Sequence, residues 1–272
     1  MAIDVAPLWD YGKPALSEER FRAALATAQG DDALILKTQI ARTFGLRRDF
    51  GRARELLAEL EPQLAKAGAE AQVRYWLELG RTWGSAAHKP DELTPQAKAE
   101  ARRAYDRALA VAKAAQLDAL AIDTLHMYAF IDTDPADGIK WADEGLKIAL
   151  ASQQPAAARW EAALRNNRGY ALHQMGRNEE ALDEFRRALA AAERNGKTGP
   201  IRIAHWMIAM TLRELGRLDE AKAIQLRLER EWDTDGEPDP YVFEELEKIY
   251  RVQGDAGRAA HYAARLKATQ NR

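Results

Sequence analysis

The phrase Met175-Gly176-Arg177-Asn178-Glu179-Glu180-Ala181 returns about 40 residues later as Leu215-Gly216-Arg217-Leu218-Asp219-Glu220-Ala221. Self-similarity at a period of roughly 20 to 50 residues is the mark of a stacked-repeat architecture. The phrase has the chemistry of a helix–turn–helix corner. Glycine at the end of one helix supplies a left-handed cap that other residues reach only at a cost. The acids that follow sit in the first turn of the next helix and oppose the positive end of its dipole. Ala181 and Ala221 then fall where the two helices of a hairpin approach closely. The rest of the chain agrees, being rich in Ala, Leu, Glu and Arg and poor in strand formers.

The pattern resembles the tetratricopeptide repeat, with Trp, Leu-Gly and Tyr on a first helix and Ala, Phe and Ala on a second. Gly169, Ala181, Phe185 and Ala188, with Gly176 at the turn, match it best. Trp76, Leu79, Gly80 and Trp83 supply another first helix. Its second helix holds Ala101, Tyr105 and Ala108, beyond an inserted loop from Gly84 to Pro95. Weaker copies keep the phase through Ala41, Phe44, Ala53 and Leu57, then Leu125, Gly138, Ala142 and Gly145. Ala209, Leu212, Gly216 and Ala221 continue it, and Tyr250, Gly254 and Ala259 end it. The resemblance spans roughly residues 34 to 270. It implies an all-α, right-handed superhelical solenoid of about six such repeats, occupying 34–272 behind an N-terminal leader and capping helix in 1–33. Pro7, Gly12 and Pro14 make residues 1–16 an extended leader, and Trp9 and Tyr11 predict that it packs on the first repeats. Ser17 is expected to cap a helix running to about Gln29, with Phe21, Ala24, Leu25 and Ala28 on one face.

Composition excludes several classes. There is no cysteine, so disulfides and thiol chemistry are out. Forty basic against forty-two acidic residues give a net charge of −2, which argues against a nucleic-acid partner, since that needs a basic field. No stretch approaches the roughly 20 apolar residues of a membrane span. The opening Met1-Ala2-Ile3-Asp4-Val5 has neither basic cluster nor apolar run, so a cytoplasmic location is expected. Asn195-Gly196-Lys197-Thr198 looks like the end of a phosphate-binding loop but lacks the glycine five residues before Gly196; it reads as a polar turn between repeats. Asp134-Pro135 and Asp239-Pro240 read as helix starts rather than calcium loops. No two of the five histidines stand at the i, i+4 spacing of a helical metal site. His88 and His261 are expected in solvent. His126 takes the place of Ala41, Gly80, Gly169 and Ala209, either as a satisfied packing histidine or as a ligand contact. No nucleophile or acid–base pair assembles, so neither an enzyme nor a cofactor is implied.

The resemblance implies that the first helix of each repeat lines a concave groove. Residues at i, i+4 and i+7 lie along one side of such a helix. In the phase of Gly169 that stripe is Asn166, Tyr170 and His173. The other repeats add Arg42, Arg81, Asp123, Trp206, Arg213, Lys248 and Arg251. Five bases face only Asp123 and Glu244, and Phe130, Tyr170 and Trp206 interleave with them. Such a mixture suits a peptide or protein partner with carboxylates and apolar anchors. The carboxylate clamp of chaperone-binding members is not implied, because Thr38 and Arg42 replace its first Lys and Asn. Two functions are expected from this reading: a non-catalytic scaffold holding a protein or peptide in the groove, or a regulatory sensor of a small anion or signal peptide. Homo-oligomerisation is left open.

Overall fold

A computed structural model describes residues 3–270; all regular structure within them is helical, with no strand. The packing divides the chain into two compact units, with the boundary in the sequence between Ala158 and Arg159. The first unit holds α1 (Pro14–Leu25), α2 (Gly30–Leu46), α3 (Phe50–Leu60), α4 (Ala69–Arg81), α5 (Pro95–Ala114), α6 (Asp118–Tyr128), α7 (Pro135–Ala151) and the short α8 (Pro155–Ala158). Helices α2/α3, α4/α5 and α6/α7 pack as hairpins, and α2 also lies against α4. The second unit holds α9 (Glu161–Gln174), α10 (Asn178–Asn195), α11 (Thr198–Glu214), α12 (Leu218–Asp235), α13 (Pro240–Val252) and α14 (Ala256–Gln270). They form three hairpins in sequence, with α11 touching both α9 and α13. Among the described residues no helix is long and apolar enough to cross a membrane.

The repeated phrase does what its chemistry predicts. Gly176 and Gly216 take φ of +73° and +75°, and the next N–H turns back to the helix just ended: Arg177 to the Leu172 carbonyl (2.9 Å) and Arg217 to that of Leu212 (2.8 Å). The phrase also carries a forked clamp. Arg177 donates from Nε and Nη2 to Glu180 at 2.7 and 2.6 Å, and Arg217 repeats this on Glu220 at 2.8 and 2.7 Å. Five residues past each turn glycine, Ala181 and Ala221 are wholly buried. The degenerate repeats keep this geometry without glycine. Arg48 (φ 64°) and Gln116 (φ 54°) take the left-handed position five residues before buried Ala53 and Ala121, at a strain cost of order 1 kcal/mol or more. Asp134 and Asp239 cap α7 and α13, each accepting a backbone N–H at 2.8 Å ahead of a proline.

Two N-terminal expectations need correcting. Helix α1 begins at Pro14 and ends at Leu25, and Ser17 lies inside it rather than at its cap. The fixed φ of proline suits the first helical position, which moves the start upstream. Ser17 is fully buried, exchanging hydrogen bonds with the N–H and carbonyl of Asp10 at 2.7 and 2.9 Å. The leader contains a 3₁₀ turn, Ala6–Leu8, and lies on the first hairpin. Trp9 donates to Gln39 (3.0 Å), stacks on Tyr11 with centroids 4.6 Å apart, and packs edge-on against Phe21. Met1 and Ala2 lie outside the described residues.

His88 is not solvated either. In the inserted loop its ring stacks on Phe50 with centroids 4.0 Å apart. Its Nδ1 accepts the Ser85 N–H (3.2 Å), so Nε2 carries the proton and donates to the Thr82 carbonyl (3.2 Å). Burial pushes its pKa down.

Candidate functional site

The expected stripe is mostly occupied by the protein itself. In the first unit Glu78, at 2% exposure, is shared by two stripe bases, Arg81 and Arg42. Arg81 reaches it from one turn along α4 and also donates to Asp123 on α6, while its Nε lies 3.0 Å from the Met127 sulfur. Arg42 approaches Glu78 at 3.7 Å and is covered by the rings of Trp9 and Tyr11 at 5.4 and 5.3 Å. Burial opposes the charge on Arg81, but Asp123 and then Glu78 outweigh it and raise its pKa. Burial likewise works to raise the pKa of Asp123, and Arg81 followed by Arg42 drives it below the usual range. In the second unit Glu245, 1% exposed, repeats the arrangement. Arg213 donates to it at 2.7 Å and to Glu214 at 2.8 Å; Lys248 bonds Glu245 at 3.0 Å and Glu244 at 2.7 Å. Arg251 pairs with Glu247. On α10, buried Glu184 collects Arg165, Arg168 and Arg187. Sequence reasoning passed over Glu78 and Glu184, and it took the pair Glu244-Glu245 for one on a solvated helix face, whereas Glu245 is buried by its contacts with Arg213 and Lys248. The available signal was an acid three residues before a stripe base, in Glu78/Arg81 and Glu245/Lys248.

His126 belongs to the first network, edge-on to Phe130 with centroids 5.4 Å apart. Burial lowers its pKa; Asp123 opposes this, and Arg81 and Arg42 add to it. Its folded-state pKa therefore lies below the ordinary histidine value of about 6.5. Between those two values the unfolded chain binds the extra proton, so stability falls as the pH drops from about 6.5 toward the folded value. Thermal melts from pH 7 to pH 5 should show this fall, and His126→Gln should make it shallower, leaving the share that His88 and His205, also lowered by burial, contribute. Equal slopes for the two proteins would show that His126 titrates alike folded and unfolded.

The remaining stripe residues collect in the second unit. Tyr170 is exposed on α9, and His173 Nδ1 lies 3.0 Å from Asn178 Oδ1. Asn166 opens onto a cleft of about 480 Å³ between α9, the end of α10 and the start of α11. Small side chains make this space: Ala162, Ala188 and Ala204 are buried beneath it, and Pro200 and Ile203 wall it on the α11 side. The turn Asn195-Gly196-Lys197, set by Gly196 at φ +68°, forms one rim. Asn195 Nδ2 ties that rim to the Arg159 carbonyl on the other (3.2 Å). Arg159 and Lys197 both line the cleft, are exposed, and make no ion pair among the described residues. No acid lines it, and the Asn166 carbonyl oxygen is buried without a hydrogen-bond partner among the described residues. Beside it, sharing Ile203, lies a second pocket of about 250 Å³ walled by Trp206, Trp232, Tyr241, Met207 and Leu228. Two unpaired cations over an apolar floor fit a carboxylate; the second pocket fits an apolar side chain.

Residues 160–229 match the family model described as Tetratricopeptide repeat. A search of curated proteins finds no match. Among solved structures, the apo form of RapI is similar with a TM-score of 0.67 at 15% identity, over 94% of this chain and 71% of that one. PilW, a widely conserved type IV pilus biogenesis factor, gives 0.61 at 18% identity, over 87% and 93%. A Rap protein complexed with Competence and Sporulation Factor gives 0.59 at 14% identity, over 93% and 69%. At these identities the likeness shows a shared fold of repeated helical hairpins.

Proposed function

We propose that this chain, whose residues 160–229 match the tetratricopeptide-repeat model, is a non-catalytic scaffold that holds a protein or peptide through a carboxylate-bearing segment seated in the α9–α11 cleft. The observation that carries this reading is the contrast in charge use. The stripe bases Arg42, Arg81, Arg213, Lys248 and Arg251 are all engaged by carboxylates of the chain, whereas Arg159 and Lys197 are unpaired over a cleft with no acid in its lining. A Rap protein of similar fold has been solved in complex with Competence and Sporulation Factor, and this supports a binding role for the present chain. The near-balanced charge favours a protein over a nucleic-acid partner, and a cytoplasmic setting goes with this reading. A second reading, a sensor of a small anion, is favoured by the cleft's volume, which falls in the range of small-ligand pockets.

The test is selection from a displayed peptide library on the full chain, followed by titration of the selected peptides. Acidic sequences should be enriched. Arg159→Ala with Lys197→Ala should weaken their binding about tenfold, or ~1.4 kcal/mol, without lowering the melting temperature. Added salt should weaken the wild-type complex. Equal affinity for the wild type and the double variant would place the binding surface elsewhere. Small dicarboxylates binding where peptides do not would favour the sensor.

A further inference from the structure

We propose that the pocket beside the cleft is a second subsite, and that together the two read a peptide in which one large apolar side chain stands two or three residues from a carboxylate. This rests on the scaffold reading above and adds the ligand's composition and spacing.

The second pocket is built for a side chain rather than for a whole small molecule. Its volume of about 250 Å³ lies below the range of ordinary ligand pockets. Its walls are mostly apolar and aromatic, and Trp206 meets Tyr241 edge-on with centroids 6.2 Å apart. Its charged members are already engaged. Arg202 lies 4.4 Å from the Trp232 ring centroid and bonds Asp235 at 2.7 Å and Glu231 at 3.3 Å. Asp239 accepts the Tyr241 N–H as the cap of α13. What remains is the indole N–H of Trp206, buried and without a hydrogen-bond partner among the described residues. A buried donor left unmade costs about 1–3 kcal/mol. A peptide crossing this point brings an apolar side chain, which fills the pocket, and carbonyl oxygens, which accept the buried donor once the indole turns to present it. Tyr241, 63% exposed, stands at the rim and can close over that side chain.

Helix α11 sets the spacing. Pro200, Ile203 and Ala204 face the cleft, and Arg202, Ile203, Trp206 and Met207 face the pocket. From Pro200 to Trp206 the helix rises roughly 9 Å at ~1.5 Å per residue. An extended peptide covers that distance in two to three residues at about 3.3–3.6 Å each. The carboxylate then lies beside Pro200, a position that the long side chains of Arg159 and Lys197 can reach from the cleft rim, while the apolar side chain enters between Trp206 and Trp232. Charge complementarity orients the peptide, and the Trp206 N–H fixes its register.

The probe is a set of fluorescein-labelled peptides, otherwise Gly and Ser, with one Phe placed one to six residues before the carboxylate. One arm carries an internal Asp with an amidated end; the other carries only a free C-terminus. Anisotropy titrations on the full chain should give the tightest binding at two or three residues, in whichever arm supplies the carboxylate. Phe→Ala in the peptide should cost about tenfold. Trp206→Phe, which keeps an aromatic side chain but removes the donor and one fused ring, should weaken the best peptide by about fivefold to tenfold, with the variant's folding checked by its helical signal. Binding that depends on Arg159 and Lys197 but ignores both Phe and Trp206 overturns the second subsite and leaves the scaffold reading standing. Binding that follows Phe but not spacing overturns the register. No binding in either arm overturns both readings.

Discussion

Replacing Arg81 by alanine should lower the unfolding free energy by about 3–5 kcal/mol, the usual cost of stripping one partner from a buried ion pair. The side chain of Arg81 is only 11% exposed, and its partners Glu78 and Asp123 are 3% and 14% exposed. Arg42 lies 3.7 Å from Glu78 but is itself held under Trp9 and Tyr11, so it is poorly placed to take over. Two carboxylates would then face each other across α4 and α6 with one distant cation. Arg81→Lys should recover only part of the loss, because an ammonium cannot fork between two acids. Urea denaturation near neutral pH measures the effect. A loss below about 1 kcal/mol would mean that the network is hydrated and behaves as surface pairs do. Arg213→Ala should follow the same course on a smaller scale, since Glu245 retains Lys248 at 3.0 Å. The sequence places both residues on a stripe expected to face a ligand, where their loss would weaken binding and spare the fold. The pairing reverses the order of effects, and Arg159 and Lys197 become the residues for a clean binding test.

This reversal shows which parts of the molecule are legible in its sequence. Turn glycines, buried alanines and the phase of the repeats depend on residues close in the chain, so Gly176, Ala181, Gly216 and Ala221 announce themselves. Helix-start chemistry is equally local, as Asp134-Pro135 and Asp239-Pro240 show. Charge partnership is not local. Arg81 meets Asp123 over 42 residues, Arg213 meets Glu245 over 32, and neither spacing is part of the repeated phrase. A stripe read as a row of free bases is therefore incomplete until the neighbouring helix is in place. The cleft was hidden for a related reason. Arg159 precedes α9, Lys197 precedes α11, and neither falls on a stripe counted from within a helix. Asn166 and Trp206 lie on the stripe counted along α9 and α11 and line the cleft and the pocket beside it; the use proposed for them depends on those turn residues.

The fit between glycine and aromatic residue inside a repeat yields the second large effect. On α4, a Cβ added to Gly80 would stand 2.3 Å from Cε1 of Tyr105 and 2.5 Å from Cδ1. Tyr105 cannot swing away, because it is fully buried and its hydroxyl donates to the Gly84 carbonyl at 2.5 Å. The same arrangement recurs at Gly169, where the added atom would meet Phe185 at 2.7 Å. Gly80→Ala should therefore cost about 1–3 kcal/mol or somewhat more through overpacking, although alanine is the better helix former by about 1 kcal/mol. Gly45 on α2 is the control, since an added Cβ there meets nothing within 4 Å. Gly45→Ala should leave stability unchanged or raise it by up to about 1 kcal/mol. Tyr105→Leu alone should also destabilise, but combined with Gly80→Ala it frees room for the methyl group. The double variant should thus be more stable than the sum of the single losses predicts. Denaturation midpoints of the four proteins decide the matter. Strict additivity, or equal effects at Gly80 and Gly45, would show that the two helices separate at little cost and that the glycine is not what holds them together.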